Sequence, residues 1–126
     1  MKGNVMIVDD DRDTLRVLGM GLERSGYTVY PASNWDEIED LIKENKHKFQ
    51  PFDVIILDLM MPVHSGFDTF KMLKEVLIGI PPVVMLTAKN SMDAALEASD
   101  LGIKKFVTKP VSIKHLVGVL EELIAG

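Results

Sequence analysis

The chain has 126 residues, of which 47% are hydrophobic and 26% are charged, a balance that is ordinary for one globular domain. Its formal net charge of −5 argues against direct nucleic-acid binding, which requires a basic excess to neutralise phosphates. The absence of cysteine excludes disulfides and cysteine-ligated zinc. No apolar run reaches the roughly 18 residues of a membrane span, and the N-terminus lacks a signal-peptide pattern. We therefore expect a cytoplasmic protein without a membrane segment.

Five short aliphatic runs recur along the chain and predict five β-strands. They are VMIV (5–8), YTVY (27–30), DVIILD (53–58), PVVMLT (82–87) and KFVTK (105–109). The third and fourth runs are almost continuously apolar, which is typical of strands that are covered on both faces. The pattern therefore indicates a central parallel sheet.

Segments with helical spacing of apolar residues separate the strands. The first covers 12–25 and is followed by Gly26, a common stop after a helix. The second opens at a capping box of Asn34 and Glu37 and runs to about Lys46. The stripes of the other three helices are Phe67, Phe70, Leu73 and Leu77, then Ala94, Ala95 and Ala98, and then Ile113, Leu116, Val117 and Leu120.

This alternation of five strands and five helices predicts a doubly wound α/β fold, with one five-stranded parallel sheet flanked by helices. We expect residues 1–126 to form a single domain of this kind, with no output domain in the chain. An end directly after the fifth helix fits both a stand-alone regulator and a domain cut from a longer protein.

Polar side chains stand at the C-terminal ends of four predicted strands. They are Asp9, Asp10 and Asp11 after the first strand, Asp58 at the end of the third, Thr87 at the end of the fourth and Lys109 at the end of the fifth. Because ligands bind outside the carboxyl ends of open parallel sheets, these side chains should meet at one edge. Carboxylates packed together favour a hard cation that prefers oxygen ligands, so we expect Mg²⁺ there, with Mn²⁺ as an alternative.

A carboxylate cluster joined by a hydroxyl and an ammonium group fits phosphoryl transfer, which depends mostly on positioning and charge neutralisation. One carboxylate could then act as the nucleophile and form an aspartyl phosphate. Taken singly, each residue has a simpler explanation: Asp10 or Asp11 as a helix N-cap, Thr87 as a strand-end residue and Lys109 as a solvated lysine. Their joint occurrence at the same ends of the strands favours the site.

The chain resembles a receiver domain of two-component response regulators, the group that includes the single-domain chemotaxis regulator. The matching segments, in the family order, are VMIVDDD (5–11), DVIILDLMMPVHSG (53–66), MLTA (85–88) and FVTKP (106–110). The resemblance covers essentially the whole chain and implies the flavodoxin-like (βα)5 fold.

The resemblance also implies a role for each matching residue. The positions are Asp58 as phosphoacceptor; Asp9, Asp10, Asp58 and the backbone carbonyl of Met60 as Mg²⁺ ligands; Thr87 and Lys109 as partners of the phosphoryl oxygens; Thr87 and Phe106 as the switch pair; and Pro62, Gly66, Ala88 and Pro110 as residues that shape the surrounding loops. Phe106 would turn inward as Thr87 moves. Pro110 after Lys109 implies a cis peptide bond.

Partners are implied in the same way. A sensor histidine kinase or a histidine phosphotransfer protein would supply the phosphoryl group, and the added charge would bias a two-state equilibrium. The chain would catalyse only its own phosphorylation and dephosphorylation. The face of the fourth helix, fifth strand and fifth helix would then bind an output domain, a partner protein or a second copy of the chain. Here that face includes Met92, Ala95, Lys104, Phe106 and His115.

Two other functions are open to a sequence of this kind. A receiver-like interaction module would work without phosphorylation, but the full set of acids, threonine and lysine argues against it. A haloacid-dehalogenase-type phosphatase also attacks with an aspartate after its first strand. Its pattern requires threonine where this chain has Asp13 or Leu15, and the chain lacks room for a cap domain.

Histidine and tryptophan offer little further chemistry. His47, His64 and His115 are too scattered in the sequence to predict a metal triad. Trp35 lies beside a predicted helix cap, so we expect it to pack against the protein rather than to stack on a ligand.

Overall fold

The computed structural model describes residues 2–48, 51–88 and 92–125. Strands and helices alternate along the chain as the sequence predicts. The strands are β1 (Gly3–Val8), β2 (Tyr27–Ala32), β3 (Val54–Asp58), β4 (Val83–Thr87) and β5 (Lys105–Thr108). The helices are α1 (Arg12–Arg24), α2 (Trp35–Asn45), α3 (Gly66–Val76), α4 (Met92–Leu101) and α5 (Ile113–Ala125).

The five strands form one parallel sheet in the order β2-β1-β3-β4-β5. Every residue of β3 and β4 is buried, which explains why these two runs are apolar without alternation. The strand order reverses direction between β1 and β3, and in open α/β sheets ligands bind at such a switch point. The predicted doubly wound fold is therefore confirmed, and its topology places the ligand edge beside Asp58.

Two hydrophobic clusters cover the two faces of the sheet. Successive strand residues point to opposite faces, so Ile55 and Leu57 enter one cluster while Val54 and Ile56 enter the other. The first cluster packs beneath α2, α3 and α4, and the second packs beneath α1 and α5. The sheet is thus covered by helices on both faces.

Within the described ranges, no helix is long and apolar enough to cross a membrane.

The N-terminal end of α2 differs from the sequence prediction in one detail. The Asn34 side chain accepts a hydrogen bond from the N–H of Glu37 at 2.9 Å, as a capping residue should. The carboxylate of Glu37, however, accepts from the N–H of Ser33 at 2.7 Å and from Arg12, and not from Asn34. The predicted capping box is therefore only half formed, because Ser33 and Arg12 draw the carboxylate one residue further back. A complete capping box, of Ser65 and Asp68, opens α3 instead.

Candidate functional site

The C-terminal edge of the sheet brings together the residues that the strand-end pattern selected. Asp9 follows β1, Asp58 is the last residue of β3 and Thr87 is the last residue of β4. All three are buried, with exposed fractions of 3%, 6% and 0%. Lys109 follows β5 by one residue instead of ending it, and its backbone N–H donates to the carbonyl of Thr87 at 2.7 Å. The peptide bond between Lys109 and Pro110 is cis, as predicted.

Asp9, Asp10 and Asp58 form a compact group of carboxylates. One oxygen from each lies within 4.8 Å of the others, while Asp10 is exposed to solvent. Like charges this close repel one another, most strongly where they are buried. Three hard oxygen donors with one side open to water are the ligands that Mg²⁺ prefers, and Mn²⁺ accepts similar donors. The group therefore fits a divalent cation.

Lys109 brings the positive charge of the site. Its Nζ lies 2.8 Å from Asp9 Oδ2 and 3.5 Å from Asp58 Oδ1. Burial by itself would lower the pKa of Lys109, but the hydrogen bond with Asp9 and the charges of Asp9 and Asp58 outweigh it and raise that pKa. Lys109 is therefore a cation at neutral pH.

Asp58 has an unusually basic carboxylate. Burial, and then the charge of Asp9, raise its pKa from 3.8 to about 6, although Lys109 and the N–H of Met60 act in the opposite direction. At neutral pH most of the population still carries the anion. The site thus holds a desolvated carboxylate, which is a better nucleophile than a fully hydrated one.

Asp11 does not belong to the carboxylate group. Its side chain caps α1 by accepting from the N–H of Asp13 at 3.0 Å. The hydroxyl of Thr14 donates to the same carboxylate, and these two bonds, Thr14 first, lower the pKa of Asp11. Its own N–H donates to Asp9 Oδ1 at 2.9 Å, which orients the buried acid. The N-cap interpretation of the acidic run therefore applies to Asp11.

The loop between β3 and α3 is folded tightly under Asp58. The carbonyl of Leu59 accepts from the N–H of Met61 at 3.3 Å and from the N–H of Gly66 at 3.0 Å. A Cβ on Gly66 would lie 2.6 Å from the carbonyl oxygen of Asp58 and 2.7 Å from the sulfur of Met85. Only glycine fits this position without displacing the strand end.

An apolar cleft of about 460 Å³ opens beside Lys109. Val17 and Leu18 of α1 line one side, and Ala88, Pro110 and Val111 line the other. Ala88 is small and exposed, directly after Thr87. Together these residues leave an open approach to the carboxylate edge.

Phe106 occupies the strand next to Thr87. In the parallel register of β4 and β5, Met85 lies opposite Phe106 and Thr87 lies opposite Thr108. Phe106 is partly buried and packs against the cluster beneath α4. On the same side of the molecule, the side chain of Met92 is 76% exposed.

Trp35 and His64 are in contact in the structure, although nothing in the sequence predicted this contact. Their ring centroids are 3.5 Å apart and the rings are inclined by only 12°. Trp35 opens α2 and His64 lies in the loop after Asp58, so no local pattern links them. Among the described residues, the group suited to a metal ion consists of Asp9, Asp10 and Asp58 and contains no histidine.

A family model described as "Response regulator receiver domain" matches residues 5–121. The chain belongs to this family. Receiver domains are signalling domains of two-component systems and not enzymes that turn over a separate substrate, and the family typically binds Mg²⁺. Receiver domains of this family act with a histidine kinase or phosphotransfer partner.

Two curated relatives place the receiver domain in longer proteins. The chain is 32% identical over 122 residues to the phosphate regulon transcriptional regulatory protein PhoB of Pseudomonas aeruginosa, covering 95% of the chain and 51% of that protein. It is 33% identical over 116 residues to the uncharacterised transcriptional regulatory protein YkoG of Bacillus subtilis, covering 92% of the chain and 48% of that protein. The chain spans about half the length of these relatives.

Solved receiver structures superpose closely. A response regulator receiver domain protein from Clostridium thermocellum matches with a TM-score of 0.84 at 28% identity, covering 97% of this chain and 94% of that one. The chemotaxis protein CheY4 of Vibrio cholerae matches with a TM-score of 0.81 at 27% identity, covering 95% and 97%. A response regulator from Burkholderia pseudomallei, solved with a phosphorylated aspartic acid and a calcium ion, matches with a TM-score of 0.78 at 27% identity, covering 97% and 68%.

Proposed function

We propose that this receiver domain accepts a phosphoryl group on Asp58 from a phosphohistidine of a sensor histidine kinase or a histidine phosphotransfer protein. The observation that carries the proposal is the placement of a buried carboxylate of raised pKa 3.5 Å from the Lys109 ammonium, within a group of three aspartates. A similar response regulator, from Burkholderia pseudomallei, was solved with a phosphorylated aspartic acid and a calcium ion, which supports the proposal.

The transfer is a substitution at phosphorus. A carboxylate oxygen of Asp58 forms the new O–P bond while the P–N bond to the donor imidazole breaks, and the imidazole takes up a proton. Lys109 offsets the charge that gathers on the phosphoryl oxygens. The Thr87 hydroxyl donates to one of these oxygens once the group is in place. The apolar cleft between α1 and the loop after β5 gives the donor its approach past Ala88.

The carboxylates of Asp9, Asp10 and Asp58 and the backbone carbonyl of Met60 would hold Mg²⁺, or Mn²⁺ in its place. The bound ion supplies positive charge that relieves the repulsion among the carboxylates and favours the anionic form of Asp58. Asp9 is oriented by two hydrogen bonds, which the N–H of Asp11 and the ammonium of Lys109 donate to it. Gly66 and Pro62 shape the loop that carries Met60.

The output of phosphorylation lies on the face formed by α4, β5 and α5. When Thr87 moves toward the phosphoryl group it vacates space next to β5, and Phe106 turns inward. This change biases the face toward one of two conformations. The residues available to a partner are Met92, Ala95, Lys104, Phe106 and His115. An output domain, a separate cytoplasmic protein or a second copy of the chain would bind there.

Incubation with acetyl phosphate and Mg²⁺, followed by intact-protein mass spectrometry, tests the phosphoacceptor assignment. Wild type should gain the mass of one phosphate, and hydroxylamine should remove it, because an acyl phosphate is labile to this nucleophile. Asp58→Asn should not be labelled, whereas Asp40→Asn, at an exposed site on α2, should be labelled like wild type. Undiminished labelling of Asp58→Asn would reject the assignment. A wild type that neither labels nor binds beryllofluoride with Mg²⁺ would point to the phosphorylation-independent module.

A further inference from the structure

The stack between Trp35 and His64 joins α2 to the loop that follows the phosphoacceptor strand. A centroid separation of 3.5 Å at 12° means that the indole and imidazole faces overlap almost fully. The cleft beside the stack, of about 90 Å³, is also lined by Asp10, Asn34 and Pro62. The two rings therefore lie next to the carboxylate group and not on a remote surface.

Trp35 is fixed on the other side by α3. Its Nε1–H donates to the hydroxyl oxygen of Thr69 at 3.0 Å, and that hydroxyl donates to the carbonyl of Ser65 at 2.9 Å. Thr69 is fully buried, so the indole has a rigid partner. Trp35 thus contacts the loop at His64 and the helix that ends the loop at Thr69. It connects three elements around Asp58.

The outer part of the loop depends on this connection. Its two ends are held by the carbonyl of Leu59, which accepts from Met61 and Gly66. Between these bonds the chain bulges toward solvent, and the Val63 side chain is 82% exposed. The imidazole of His64 stacks on Trp35 and so connects this bulge to α2.

The loop also carries a group that acts directly on Asp58. The N–H of Met60 donates a hydrogen bond to the Asp58 carboxylate. A loop that shifts outward would withdraw this donor, and would move the carbonyl of the same residue away from the carboxylates. The position of the loop is therefore coupled to the reactivity of the acceptor.

We propose that Trp35 and His64 form an aromatic clasp that holds the loop between β3 and α3 in the geometry needed at Asp58. Both are positioning residues, since they act through the loop and touch neither the phosphoryl group nor the ion. The clasp rests on the proposed function only for its effect on phosphorylation. Its effect on the loop is independent of any donor.

Three variants separate the stack from other roles of the loop. His64→Ala removes the ring, His64→Phe keeps an aromatic face without ring nitrogens, and Val63→Ala is a matched control next to it in the same bulge. Hydrogen–deuterium exchange of the backbone amides of residues 60, 61, 63 and 64 measures the loop, without metal or donor. Calorimetric titration of Mg²⁺ and the rate of labelling by acetyl phosphate measure the site.

For His64→Ala we expect loop amides that exchange roughly tenfold faster, together with a Mg²⁺ affinity and a labelling rate lowered about threefold to tenfold. His64→Phe and Val63→Ala should stay within about twofold of wild type. Equal exchange in His64→Ala and Val63→Ala would overturn the clasp, as would a His64→Phe variant as impaired as His64→Ala. Faster exchange with unchanged Mg²⁺ affinity and labelling would overturn the positioning role. If wild type is not labelled at all, the proposed function fails, and loop exchange still decides whether the clasp exists.

Discussion

The side-chain ammonium of Lys109 donates its shorter hydrogen bond to Asp9, with Nζ 2.8 Å from Oδ2. Asp58 receives only a longer contact, at 3.5 Å. The ammonium therefore lies closer to the buried Asp9 than to Asp58, whose pKa is raised first by burial and then by the charge of Asp9. A phosphoryl oxygen on Asp58 would compete with Asp9 for the same ammonium, so phosphorylation would redistribute an ion pair that already exists.

Replacing Lys109 with Met should destabilise the fold by about 1–3 kcal/mol. Losing one partner of a buried ion pair typically costs about 3–5 kcal/mol, and we expect less here because solvent reaches part of the Lys109 side chain. The side chain of Lys109 is 24% exposed, whereas that of Asp9 is only 4% exposed. Urea unfolding at neutral pH measures the loss.

Lys109→Arg is the matched control for this charge. It should retain most of the stability, because the cation remains near Asp9, but label slowly, because a planar guanidinium does not replace a compact ammonium at a packed site. If Lys109→Met unfolds at the same urea concentration as wild type, the ion pair with Asp9 makes no net contribution.

The raised pKa of Asp58 predicts a stability that falls as the pH rises. The pKa is 3.8 in the unfolded chain and about 6 in the folded one, so the folded state binds the proton more tightly between these values. The resulting stabilisation is complete below the lower pKa and is lost as the pH rises through the higher one. It corresponds to about 3 kcal/mol in total.

Asp58→Asn isolates this contribution, because the amide has nearly the same shape and no charge. Between about pH 4.5 and about pH 7.5, wild type should lose about 2 kcal/mol of unfolding free energy relative to the variant. Urea unfolding of both proteins across this range gives the difference, in which titrating groups remote from Asp58 cancel. A constant difference would show that burial does not raise the pKa of Asp58.

The positions of the residues at the strand ends were predictable, because they depend only on the order of the strands and on the pattern of apolar residues along the chain. An apolar run that is buried on both faces fixes where a parallel strand ends, and all such ends meet at one edge. Asp9, Asp58 and Thr87 therefore followed from the sequence. Lys109 was displaced by one residue, since β5 is short and ends at Thr108.

Contacts that depend on competing local choices were not predictable. The sequence offered the Glu37 carboxylate a donor at Asn34, but in the structure the carboxylate accepts from Ser33 and pairs with Arg12. The stack of Trp35 on His64 depends on the path of a loop that has no periodic pattern. Such contacts can be recognised only once the backbone is folded, whereas the ends of the strands can be recognised in the sequence.

A divalent cation should stabilise the protein through Asp10 in particular. Mg²⁺ at about ten times its dissociation constant should add about 1.4 kcal/mol to the unfolding free energy, and a chelator should reverse the gain. The three carboxylates lie within 4.8 Å of one another, so binding also removes their repulsion. Thermal unfolding with and without Mg²⁺ measures the effect.

Asp10→Asn should lose most of the Mg²⁺ response while it unfolds at the wild-type temperature, or slightly above it, without the ion. In wild type, the carboxylate of Asp10 is exposed and adds repulsion to the group of carboxylates when no cation is bound. Asp40→Asn, an exposed change of the same type on α2, should keep the full response. Equal responses in the two variants would place the ion elsewhere.

Gly66 should tolerate no side chain, whereas Gly118 should accept one. A Cβ at Gly66 would lie 2.6 Å from the carbonyl of Asp58 and 2.9 Å from the Cα of Leu59, and backbone atoms cannot yield without moving the acceptor. We expect Gly66→Ala to lose about 2–3 kcal/mol in urea unfolding and to label more slowly. Gly118 lies within α5 with nothing within 4 Å of an added Cβ, so Gly118→Ala should gain up to about 1 kcal/mol from helix propensity. Equal stability of the two variants would mean that the loop under Asp58 can relax, and labelling would then show whether the acceptor moves with it.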